Sequence, residues 1–89
     1  MTRYVLSLKN LQILERLFTT ELLQEFSHAD EDDLYKYRYG MGTIIRVKIL
    51  NPRNLAYKSF VKSGVTDRED MTNFILHDFH EYLKEKLQD

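Results

Sequence analysis

The chain has 89 residues, of which 43% are hydrophobic and 12% aromatic, and it contains no cysteine. This composition is typical of one small globular domain, and it excludes disulfide bonds and cysteine metal sites. The formal net charge is only -1, but residues 1–33, 34–66 and 67–89 carry net charges of -4, +7 and -4. We therefore expect a single domain over residues 1–89 with a basic middle third.

The N-terminal residues alternate apolar Tyr4, Leu6 and Leu8 with other side chains. This alternation fits either a short extra strand near residues 3–8 or an early turn of the first helix. No apolar run is long enough for a signal peptide or a membrane span. We expect a cytoplasmic protein that does not contact a membrane.

A helix is predicted over residues 11–27, with Asn10 as its N-cap. Its apolar residues recur at intervals of three and four, which places them on one face: Leu11, Leu14, Phe18, Leu22 and Phe26. An acidic run at residues 30–33 ends this pattern and predicts a solvated loop.

Three strands are predicted next, at Leu34–Tyr39, Thr43–Leu50 and Leu55–Lys62. Residues 34–39 alternate tyrosine with basic side chains, and the second segment is rich in β-branched residues. The intervening turns are predicted at Gly40-Met41-Gly42 and at Asn51-Pro52-Arg53-Asn54.

The pairing of the second and third strands predicts a core face with Ile45, Val47, Ile49, Ala56, Lys58 and Phe60. The opposite face would carry Arg46, Lys48, Tyr57 and Ser59, bordered by Ile44, Leu50, Leu55 and Val61. This second face is a basic, aromatic and partly aliphatic surface.

The C-terminal helix has the clearest signals. Thr66 and Glu69 have the spacing of a capping box, and acids in the first turn complement the helix dipole. One apolar stripe follows, with Phe79 at its middle: Met71, Ile75, Phe79, Tyr82, Leu83 and Leu87. The sequence therefore predicts an α+β fold (α-β-β-β-α), in which two helices pack on one face of a three-stranded antiparallel meander.

Function is predicted from surplus apolar surface, because Ile13, Leu17 and Phe74 fall outside the helical stripes and exposed apolar patches often mark interfaces. We expect a small non-enzymatic regulatory or inhibitory protein that binds another protein, either foreign or a second copy of itself. The predicted partner-binding residues are Ile13, Leu17, Tyr35, Tyr37, Arg46, Lys48, Tyr57 and Val61.

The alternative prediction is a nucleic-acid-binding module that uses the basic, tyrosine-rich sheet face. Its residues would be Lys36, Arg38, Arg46, Lys48, Lys58 and Tyr57. No catalytic motif or cofactor motif is recognisable, so we expect neither enzymatic activity nor a cofactor. His77 and Glu81 have a spacing compatible with metal ligation, but no second ligand cluster accompanies them except the acidic run at residues 30–33 and His28, so no metal site is predicted.

Overall fold

The structure, a computed structural model, describes residues 6–87 and contains only helices within that range. Its elements are α1 (Leu8–Leu17), α2 (Thr20–His28), a 3₁₀ helix (Glu31–Tyr37), α3 (Met41–Lys48), α4 (Leu55–Lys62) and α5 (Arg68–Leu87). The predicted α+β fold with a three-stranded meander and a basic sheet face is therefore wrong. Half of the extra strand predicted near residues 3–8 lies outside the described residues, and Leu8 is already helical.

Thr19 divides the helix predicted over residues 11–27 into two. Its hydroxyl accepts a hydrogen bond from the Leu22 amide (3.2 Å) and caps α2, while the preceding Phe18 is extended. α1 also begins earlier than predicted, because Ser7 Oγ accepts the Asn10 amide (3.2 Å) and serves as its cap. The predicted apolar stripe still faces inward: Leu11, Leu14 and Phe26 are buried, and Phe18 and Leu22 are partly buried against the core.

The segment predicted as the second strand is helix α3. Ile45 and Ile49 are buried, as predicted, but Val47 between them is 66% exposed and Met41 is buried instead. Residues four apart share a face in a strand and also, approximately, in a helix, because four is a multiple of two and close to 3.6. The intermediate residue distinguishes the two structures, and here Val47 faces solvent.

The other two predicted strands are also helices, and their inward-facing residues are likewise spaced by three or four. In α4, Phe60 is buried and Ala56 packs against the core, whereas Lys58 is exposed. In the 3₁₀ helix, Leu34 is buried and Tyr37 partly buried, a spacing of three that matches this helix type. The apolar positions of the central third thus follow helical periods. Most basic side chains between them are exposed, whereas Arg38 and Arg46 are partly buried.

Gly42 lies inside α3, where the sequence predicted the tip of a hairpin. A Cβ at this position would lie 3.1 Å from Thr72 Cγ2 of α5 and 3.6 Å from the Tyr37 carbonyl. The missing side chain allows α3 to approach α5 closely. The predicted turn at residues 51–54 is present, since the Asn54 amide donates to the Asn51 carbonyl (3.0 Å).

α4 ends in a Schellman motif centred on Gly64. Gly64 has a φ of 95°, a left-handed conformation that favours glycine. Its amide donates to Val61 O (3.0 Å), and the Val65 amide donates to Phe60 O (2.9 Å). This motif turns the chain from α4 into the connection that leads to α5.

α5 is the central helix, and α1, α2, α3 and the 3₁₀ helix all pack on it. The predicted stripe is confirmed: Met71, Ile75, Phe79, Tyr82 and Leu83 are buried, and Leu87 is partly buried. The predicted capping box is not formed, because the Glu69 amide donates to Asp67 Oδ1 (3.0 Å) and Glu69 itself pairs with Arg38.

Candidate functional site

A groove between α1 and α4 brings together two exposed apolar side chains. Ile13 of α1 is 36% exposed, and Leu55 of α4 is 75% exposed. The groove has a volume of about 490 Å³, and its wall is completed by Ser7, Lys9, Asn10, Asn54, Ala56 and Ser59. We call it the α1/α4 groove.

Both helices begin at this groove. Ser7 caps α1 as described above, and Asn54 Oδ1 accepts the Ala56 amide (2.8 Å) at the start of α4. Neither helix has an acidic residue in its first turn. The partial positive charge of two helix N-termini therefore adds to the ammonium of Lys9.

A hydrogen-bonded cluster fixes the position of α1, which forms one wall of the groove. Glu15 Oε1 accepts hydrogen bonds from the Tyr82 hydroxyl (2.8 Å) and from Lys86 Nζ (2.9 Å) of α5. Burial alone would raise the pKa of the Glu15 carboxyl, but the hydrogen bonds from Lys86 and Tyr82 outweigh it and hold this pKa below its usual value. The negative charge of Glu15 is thus paired with Lys86.

A second concave region lies where the 3₁₀ helix, α3 and α5 meet. It has a volume of about 380 Å³ and is lined by Arg38, Tyr39, Arg46, Asp67 and Glu69. Arg38 pairs with Glu69 (Nη1 to Oε1, 2.9 Å), and its guanidinium lies 5.2 Å from the centre of the Tyr39 ring. Its Nε is buried and has no hydrogen-bond partner within residues 6–87. Two arginines and two carboxylates make this region nearly neutral.

The predicted partner-binding residues are spread over four elements. Ile13, Tyr35, Lys48 and Val61 are exposed on α1, the 3₁₀ helix, α3 and α4, whereas Leu17, Tyr37, Arg46 and Tyr57 are partly buried. Of these eight, only Ile13 lines the α1/α4 groove.

Two of the partly buried tyrosines make contacts inside the fold. The Tyr37 hydroxyl donates to Glu25 Oε2 (2.9 Å), and burial together with this hydrogen bond raises the pKa of Tyr37 to about 12. The Tyr57 ring lies 5.5 Å from the guanidinium of Arg68. These contacts connect the 3₁₀ helix to α2 and α4 to α5.

The residues predicted for nucleic-acid binding are only partly brought together. Arg38 and Arg46 line the same cavity, but two carboxylates line it with them. Lys36 pairs with Asp33 (3.4 Å), and Lys48 and Lys58 are exposed on α3 and α4. A phosphate at the arginine pair would meet the charge of Asp67 and Glu69, which opposes its binding.

The two histidines of α5 make different contacts. His77 Nδ1 lies 3.6 Å from Glu31 Oε1, at the surface. His80 is buried, and its Nε2 lies 2.8 Å from the Ala29 carbonyl, so the ring donates this hydrogen bond. Within the described residues, no group of three or more His, Asp or Glu side chains is placed to hold a metal ion.

The sequence did not single out the groove, but the starts of the two helices that form it have recognisable signals. Asn54 stands directly before Leu55-Ala56, and Ser7 stands before the apolar pattern of α1, so each has the position of an N-cap. Leu55 was predicted only as the apolar end of a strand. Reading Asn54 as part of a turn concealed the start of α4.

No helix within residues 6–87 has the length and apolar character that crossing a bilayer requires.

Comparisons with known proteins place the chain in a family. The search of curated proteins finds no match, and the search of solved structures finds none. A family model described as "Domain of unknown function (DUF6794)" matches residues 9–83, from the first turn of α1 to the last turns of α5. The chain therefore belongs to the DUF6794 family.

Proposed function

We propose that this domain is a non-enzymatic regulatory or inhibitory protein that acts in the cytoplasm by binding another protein. The observation that carries the proposal is the apolar surface left over after the core is filled. Large apolar side chains remain exposed on four helices: Leu8 and Ile13, Ile44 and Val47, Leu55 and Val61, and Phe74. Exposed apolar surface of this kind often marks a protein–protein interface.

The charge distribution supports a protein partner over a nucleic acid. The basic residues of the central third are spread over the 3₁₀ helix, α3, α4 and the connections between them. The arginine pair in the concave region beside α3 is bordered by two carboxylates. We expect dissociation constants no tighter than about 10⁻⁵ M for DNA or RNA near physiological salt, the range of non-specific binding.

The test is affinity capture from native lysate, with and without nuclease. We expect at least one protein to remain bound after nuclease treatment, because hydrophobic anchors rather than counterion release supply the binding energy. Loss of every captured protein after nuclease, or nanomolar binding to a nucleic acid, would contradict the proposal. Sedimentation over a concentration series distinguishes a foreign partner from a second copy of the chain.

A further inference from the structure

The α1/α4 groove combines exposed apolar side chains with basic ones. Ile13 and Leu55 supply the exposed apolar surface, and Lys9 lines the same groove. Lys58 is three residues beyond Leu55, and Lys62 is three residues beyond Ser59, so both lysines lie beside groove-lining positions of α4. Both are exposed.

The charges of Lys9, Lys58 and Lys62 are not used in ion pairs among the described residues. Within residues 6–87, the ion pairs join Lys36, Arg38, His77 and Lys86 to carboxylates, and none involves Lys9, Lys58 or Lys62. Residues 34–66, which include all of α4, contain no acid. Lys9, which lines the groove, and the flanking Lys58 and Lys62 have the same sign of charge as the two helix N-termini.

A second copy of the chain does not suit this groove. In a two-fold dimer centred on it, each subunit would place the same patch against the other, so the lysines of one subunit would face the lysines of its partner. Like charges brought together at an interface oppose binding. An occupant with apolar anchors and acidic flanks matches both the apolar side chains of the groove and the positive charge beside them.

We propose that the α1/α4 groove binds an acidic amphipathic helix of a partner protein. This inference rests on the proposed function and specifies the site and the chemistry of the partner. The anchors would be aliphatic side chains at positions such as i, i+3 and i+7, which lie along one helix face and meet Ile13 and Leu55. Glutamate or aspartate beside the anchors would meet Lys9, Lys58 and Lys62.

The probe is a synthetic helical peptide with leucines at i, i+3 and i+7 and glutamates at the flanking positions. It should have about 15 residues or more, because shorter isolated helices are marginal in water. Two matched peptides serve as controls, one with lysine in place of glutamate and one with alanine in place of leucine. Fluorescence anisotropy at low and at physiological salt measures binding to the full chain.

Leu55→Asp and Lys9→Glu are the informative variants. Both positions lie in the first turn of a helix, where an acid complements the dipole, so neither change should lower the melting temperature. We expect each variant to bind the glutamate peptide at least about tenfold more weakly. Leu55→Asp replaces an apolar contact with a negative charge, and Lys9→Glu reverses the charge that would meet the glutamates. Reduced binding without reduced stability is a result that damage to the fold would not produce.

Val47→Asp is the matched control, since Val47 is 66% exposed on α3 and does not line the groove. It should bind the glutamate peptide like the parent. The proposal is overturned if the lysine or alanine peptide binds as tightly as the glutamate peptide. It is likewise overturned if Leu55→Asp and Val47→Asp have equal effects, or if sedimentation shows a dimer that Leu55→Asp dissociates.

Failure of this inference can be separated from failure of the proposed function. If the peptide does not bind, but parent and Leu55→Asp capture the same nuclease-resistant protein from lysate, the groove assignment alone is wrong. If capture depends entirely on nucleic acid and the peptide does not bind the groove, both proposals are wrong.

Discussion

Replacing Phe79 with alanine tests the central position of α5. Phe79 is fully buried, and its ring lies 5.9 Å from the ring of Phe26, 6.1 Å from that of Phe18 and 6.3 Å from that of Tyr82. These contacts join the end of α1, the last turn of α2 and α5. The substitution therefore removes the side chain that three segments share.

The expected loss of stability is large for a domain of this size. A buried Phe→Ala change costs about 3–5 kcal/mol, and the loss of three ring contacts favours the upper half of that range. A chain of 89 residues has a free energy of unfolding of roughly 4–13 kcal/mol. A loss of about 4 kcal/mol lowers the melting temperature by roughly 16–32 °C, and it unfolds the variant outright if the parent lies at the low end of that stability range.

The assay is thermal and urea unfolding followed by far-UV circular dichroism. Phe74→Ala is the control in the same helix, because Phe74 is 48% exposed and contacts Phe60 with a ring distance of 6.0 Å. We expect it to cost only about 1–2 kcal/mol. Equal melting temperatures for the two variants would refute the assignment of Phe79 to the core and Phe74 to the surface.

Three further predictions address α3, α5 and the end of α4. Val47→Lys should change the free energy of unfolding by less than about 0.5 kcal/mol and Ile45→Lys should unfold the chain; equal damage would argue for a strand. His80 is buried, and this burial outweighs its hydrogen bond to Ala29 and lowers its pKa. The unfolded state therefore binds a proton first, so stability should fall as the pH decreases below about 6.5. In urea titrations over this pH range, His80→Gln should lose that part of the dependence, and an unchanged slope would contradict the assignment. Gly64→Ala should cost about 1–2 kcal/mol by urea unfolding, because φ is positive there; no loss would show that this conformation is unstrained.

The sequence by itself determined α5 and the inward faces of α1 and α2. In α5 the stripe from Met71 to Leu87 is long enough that only a helical period accounts for it. In the first third, the three- and four-residue spacing identified the buried residues even though Thr19 interrupts the helix. The uneven charge distribution was also evident from sequence alone, and it explains why the charged side chains of α4 are all basic.

Only the tertiary structure decided the conformation of residues 34–62. Short segments in which apolar residues stand four apart, such as Ile45 and Ile49, satisfy the period of a strand and that of a helix. The choice depends on what packs against them. Here α3 packs closely against α5 at Gly42, and this orientation leaves Val47 in solvent.

The α1/α4 groove was beyond the reach of sequence reasoning for a related reason. Ile13 and Leu55 are 42 positions apart in the chain, and only the packing of helices brings them to one surface. Local patterns fix which face of a segment is apolar, whereas the proximity of two segments depends on how the whole core is filled.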